Sequence, residues 1–167
     1  MRNKYINLIF IMFVVGVFLT SCDTDTYDGI DFLVDEGTKA EAFAGDWYVR
    51  MQDKATGDYV TGVGKINTFN TVENKKNLFW VNDDSLWGYQ IKAQGTDGLT
   101  FASIDGKSIK YGEDATISAG KILNGVGHSK TGNATDSIYM EMEFVSDPGV
   151  VYIVSGHKRT RWPEDDY

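Results

Sequence analysis

Asp136-Ser137-Ile138-Tyr139-Met140-Glu141-Met142-Glu143-Phe144-Val145 is the stretch on which the fold turns. From Ile138 onward it alternates without a break. Ile138, Met140, Met142 and Phe144 are apolar, while Tyr139, Glu141 and Glu143 tolerate water. Successive side chains of an extended chain point to opposite sides, so this segment predicts a strand with one buried and one solvated face. Runs of the same kind recur on both sides of it: Trp47–Met51, Tyr59–Asn67, Leu78–Asn82, Trp87–Lys92, Leu99–Ile104, Ala115–Leu123 and Val150–His157. Turn-forming residues separate them, among them Asn82-Asp83-Asp84-Ser85, Gln94-Gly95-Thr96-Asp97-Gly98 and the dipeptide Asn124-Gly125. About eight short strands at close spacing, with no long helix, predict an all-β antiparallel fold. Eight up-and-down strands close well into a barrel, which removes the edges an open sheet leaves exposed.

Ahead of the strands the character of the chain changes twice. Residues 1–22 carry Arg2 and Lys4, then an apolar run from Ile6 to Leu19, then Leu19-Thr20-Ser21-Cys22. The run is about 14 residues long, short of the roughly 20 that span a bilayer. Charged start, apolar middle and small residues before a cysteine are the layout of a lipoprotein signal peptide with its lipobox. Cys22 is therefore the expected lipidation site, and the bilayer the expected partner through its acyl chains. That places the protein in the cell envelope, lipid-anchored at the outer membrane, on its periplasmic face or the cell surface. Residues 23–43 are rich in acidic and small side chains and read as a flexible tether, with a short helical piece around Asp35–Phe43. Residues 44–167 form the predicted barrel domain.

The charge balance excludes some partners. Removing residues 1–22 takes away two basic and no acidic side chains, so the net charge goes from −8 to about −10. A polyanion needs clustered Lys and Arg, so nucleic acid is excluded. With Cys22 the only cysteine, the folded domain has neither disulfide nor thiol chemistry.

Gly45-Asp46-Trp47 opens the first strand and the basic residues Lys158, Arg159 and Arg161 follow the last. This is similar to lipocalin-like barrels, in which the indole of a Gly-x-Trp plugs the barrel floor under a basic side chain. The resemblance assigns barrel closure to Gly45, Trp47 and Arg159, the last for its planar, stacking guanidinium. A wider likeness covers about four-fifths of the chain after Cys22. It rests on Gly45-Asp46-Trp47, Asn67–Thr71, Leu78–Asp83, Asn124-Gly125, Asp136–Ile138 and Ser155-Gly156-His157-Lys158-Arg159-Thr160. On these residues the chain resembles the lipid-binding putative hydrolases, Bacteroidetes-type lipoproteins with a lipocalin-like (calycin) barrel. The resemblance implies a lipid-like ligand and carries over no catalytic residue.

The residues themselves contain no hydrolase motif. There is no Gly-x-Ser-x-Gly elbow. Ser155 and His157 share a strand face about 7 Å apart at Cα, long for a direct hydrogen bond. No metal set is read, since His128 and His157 lack cysteine partners and Asn82–Ser85 lacks the Asp-x-Asp-x-Asp-Gly pattern of a calcium loop. Gly125–Thr131 fails as a phosphate loop because Lys130 follows serine. No cofactor is expected.

The expected function is thus binding of a small apolar or amphipathic molecule inside the barrel, lined by Trp80, Trp87, Tyr89, Met140 and Met142. Two alternatives stay open. One is a filled barrel serving as a structural or interaction module of an envelope assembly; the other is a weak hydrolase.

Overall fold

Eight strands follow one another in an antiparallel meander: β1 (Gly45–Asp53), β2 (Gly64–Asn70), β3 (Leu78–Asp83), β4 (Gln90–Gly95), β5 (Thr100–Ser108), β6 (Ala115–His128), β7 (Ala134–Phe144) and β8 (Tyr152–Lys158). Each pairs with its sequence neighbours, and β1 pairs with β8 from Trp47↔Lys158 to Asp53↔Tyr152, which closes the barrel. The computed structural model describes residues 37–110 and 112–167. The predicted signal segment with Cys22, and the predicted tether as far as residue 36, lie outside the described residues.

The alternation of β7 is the alternation of the wall. Ile138, Met140, Met142 and Phe144 are buried, and β8 adds Tyr152 and Val154 beside them. Where the strands differ from their predicted bounds, a local interaction explains it. The second begins at Gly64 rather than Tyr59, because Gly57 turns the chain in the left-handed region (φ +80) and Tyr59 pairs only with Gln52. The fourth begins at Gln90 rather than Trp87, because the Asp83 carboxylate captures the backbone N–H groups ahead of it. Asn124-Gly125 is not a turn. Gly125 takes φ +67 inside β6 and donates its N–H to Asp136 Oδ1 at 3.1 Å, making a bulge between Leu123 and Gly127. The chain reverses only at Ser129–Asn133, where the Ser129 N–H donates to the Asn133 carbonyl at 2.9 Å.

One end of the barrel, the floor, is sealed by aromatics. Of the helical piece expected around Asp35–Phe43, the described part is a 3₁₀ turn over Glu41–Phe43. Its Phe43 ring is buried and stacked on Phe79 at 4.7 Å, with Phe101 edge-on at 6.2 Å. Ala40 and Phe43, which composition assigns to the tether, therefore belong to the core. Gly95 lies under this ring: a Cβ there would sit 2.2 Å from it. Trp47 is 1% exposed, and its indole N–H donates to Thr68 Oγ1 at 2.8 Å while that hydroxyl donates to the Phe43 carbonyl. The cation over the indole is Lys158, with Nζ 5.5 Å from the ring centroid, and not Arg159. Strand parity decides this. Lys158 stands directly opposite Trp47 and shares its face, whereas Arg159 turns outward to the Asp166 carboxylate, donating from Nε at 2.7 Å.

Candidate functional site

The other end of the barrel, the mouth, is built around Asp83. This carboxylate is fully buried at the C-terminal end of β3. It accepts backbone N–H bonds from Ser85 and Leu86 (2.8 Å each), Trp87 (2.6 Å) and Gly88 (3.1 Å). A buried charge needs this kind of compensation, and hydrogen bonds to an ionised acceptor are the strong ones. The loop 84–88 is thereby folded over the mouth. Leu86 settles against Gly64, where a Cβ would come within 2.2 Å of the leucine, and Gly88 turns the loop at φ +79.

Trp87 is carried on this loop. Its ring stacks on Phe144 at 5.3 Å and approaches Tyr152 at 6.1 Å, yet the residue remains 42% exposed. The same Phe144 ring lies 6.1 Å from Tyr89, which is 0% exposed. The Tyr89 hydroxyl is buried without a hydrogen-bond partner. Burial, and after it the Asp83 charge, push this phenol well above its ordinary range, so it stays a protonated donor. Tyr152 closes the rim. Its hydroxyl donates to Asp147, and that bond with burial pushes its pKa up to about 12.

Four of the five residues expected to line a pocket therefore point into the barrel: Trp87 and Tyr89 at the mouth, Met142 and Met140 below them. Both methionines are fully buried in packed side chains. Trp80 does not join them. It lies on the outer wall, cross-strand from Phe69 and Lys92, with Lys92 Nζ 5.0 Å from its ring. Its neighbours Phe79 and Val81 take the inward positions of β3. The interior is occupied by the side chains of its own wall, as an eight-stranded barrel permits.

Ser155 and His157 face outward on β8. Among the described residues no hydrogen bond joins the Ser155 hydroxyl to the imidazole. His157 Nδ1 lies 3.2 Å from the Lys158 carbonyl, and His128 Nδ1 lies 3.4 Å from that of Gly132. Among the described residues no group of His, Cys, Asp and Glu is arranged to hold a metal ion.

Fold and mouth define a closed antiparallel barrel with an aromatic floor, an apolar core and a tryptophan-covered mouth. The family described as lipid-binding putative hydrolase matches residues 34–163, and the chain belongs to that family. No curated protein matches the sequence.

Proposed function

We propose that the protein binds an amphipathic, lipid-like molecule at the barrel mouth, with Trp87 as a displaceable cover and the Tyr89 hydroxyl as the polar contact. The Tyr89 hydroxyl carries this reading. A buried hydroxyl left unpaired costs about 1–3 kcal/mol, and a ligand carboxylate or ester carbonyl entering under Trp87 would accept a hydrogen bond from it. Room for the acyl part comes from rotation of the half-exposed Trp87 ring, the loop backbone staying on Asp83, and from repacking of Met142, whose flexible thioether adapts to irregular shapes. The lipid-binding family supports the ligand class.

The binding test is direct. Titrating the barrel domain with a long-chain fatty acid should change tryptophan fluorescence, and Trp87→Phe should abolish the change. Tyr89→Phe should weaken binding about fivefold to tenfold, the value of one hydrogen bond. Native mass spectrometry should show a co-purified lipid-sized adduct. An empty protein that gives no fluorescence response favours the second reading, an interaction module of the envelope, which the filled interior supports.

Anchoring belongs to the same proposal. Cys22, following Leu19-Thr20-Ser21, would be acylated and would hold the domain at the cell envelope. Metabolic labelling with a fatty-acid analogue should mark the wild type and leave Cys22→Ala unlabelled and unprocessed. Equal labelling of the two would refute the anchor.

A further inference from the structure

The outer wall has a pocket that the mouth does not use. It lies along β1 and β8 and has a volume of about 360 Å³. Tyr48, Arg50, Ser155, His157 and Tyr167 contribute to its walls. Its back is tight: a Cβ at Gly156 would stand 1.9 Å from the Tyr48 carbonyl, so the strands approach closely there. Three rings gather on one side, with Tyr48 at 4.9 Å from Tyr167 and 5.9 Å from His157, and His157 at 6.0 Å from Tyr167.

The polar groups lie at two positions. Tyr48 stands opposite His157 and Arg50 opposite Ser155, two residues further along the same ladder. Arg50 is exposed, lies over the Tyr59 ring at 4.7 Å and makes no ion pair among the described residues. In a chain of net charge −8, the lining side chains include one cation, Arg50, and no carboxylate, and a second cation, Lys130, lies over the Tyr167 ring at 5.3 Å. The nearby Asp166 is already engaged by Arg159 and by the Tyr48 hydroxyl. His157 Nδ1 donates to the Lys158 carbonyl, which can only accept. In the neutral ring Nε2 is then left with its lone pair, and that atom is buried with no partner. Diagonal neighbours on one face of an antiparallel pair are about 7–8 Å apart. The wall thus presents a cation at one position and, diagonally across the ladder, an unused acceptor clustered with the Tyr48 and Tyr167 rings.

We propose that this pocket is a second binding site, selective for a small hydroxyaromatic carboxylate. The carboxylate pairs with Arg50, the ring packs against Tyr48 and Tyr167, and the hydroxyl donates to His157 Nε2. Bidentate pairing with a carboxylate suits the guanidinium fork. Tyr167, 58% exposed, is the wall that shifts to admit the ring.

The probe is 4-hydroxybenzoate, with benzoate and phenol as partial ligands, added to the isotope-labelled chain and followed by NMR. Saturable shifts are expected at Tyr48, Arg50, His157 and Tyr167, with no response of Trp87 fluorescence, which separates this site from the mouth. Arg50→Gln should weaken binding at least about tenfold, since it removes a charge-assisted pair. His157→Phe keeps a ring but removes the acceptor, so it should erase the preference for 4-hydroxybenzoate over benzoate. Absence of saturable shifts at millimolar probe, or shifts centred elsewhere, overturns the proposal. So does equal binding by Arg50→Gln, an exposed substitution that leaves the fold intact.

Discussion

Trp47 is held by three partners of different kinds: Thr68 at its N–H, Lys158 across its face, and the packed floor beneath. Truncation to alanine removes a large buried side chain, and Trp47→Ala should cost about 3–5 kcal/mol in chemical denaturation. Lys158→Ala should cost about 0.5–1 kcal/mol, a cation–π contact at a partly exposed site. Arg159→Ala should leave the Trp47 emission unchanged, because its guanidinium serves Asp166. The sequence makes Gly45, Trp47 and a basic cluster visible as a set. Which basic residue covers the ring is another matter. Residues 158 and 159 point to opposite faces, and only the β1–β8 register says which of them meets Trp47. Asp83 was hidden for a similar reason. Its sequence surroundings, Asn82-Asp83-Asp84-Ser85, read as an ordinary turn, and its burial depends on β3 ending with position 83 turned inward.

The segment after β8 shows the same dependence at the level of elements. A 3₁₀ turn over Pro163–Asp165 brings two carboxylates back onto the barrel. Asp165 is buried and accepts from the Thr131 N–H (2.9 Å) and hydroxyl (2.6 Å) and from the Thr160 hydroxyl (2.6 Å). Bonds from Thr131 and then Thr160 hold its pKa far below the usual carboxylate range. Asp166 is lowered from 3.8 to about 2, first by Arg159 and then by the Tyr48 hydroxyl. Both are depressed in the folded state, so the attachment they provide is complete above the ordinary carboxylate range. The Asp166 contribution is lost as pH falls from about 4 through about 2, while that of Asp165 persists to lower pH. NOEs between the Tyr48 and Tyr167 rings should fade across that window and be constant from pH 5 to 7. Strands with clean alternation, such as β7, were legible from sequence. The loop 84–88 was not, because Leu86-Trp87 continues an apolar run and the carboxylate that diverts its backbone lies outside that run.

For the whole molecule, strand number and antiparallel order follow from spacing and turn chemistry, whereas the occupancy of the interior does not. The space inside is filled partly by Phe43 and Trp87, which come from a turn before β1 and a loop after β3, so no tally of strand residues decides it. The β1–β8 pairing bears on how the barrel assembles. Seven of the eight pairings join strands adjacent in the chain, and this one alone spans about a hundred residues. Closing so long a loop costs about 2 kcal/mol more than closing a ten-residue hairpin. Local hairpins should therefore form early and this pairing late. The start of β1 and the end of β8 lie side by side, the Arg159 N–H donating to the Asp46 carbonyl at 2.8 Å. A circular permutant joined there and cut in the loop 145–151 keeps every strand pair but transfers the distant partnership to β7 and β8. In stopped-flow refolding, Val154→Ala should slow the permutant more than it slows the natural chain, because the β1–β8 hairpin now forms among the first, whereas in the natural chain the same truncation should mainly speed unfolding.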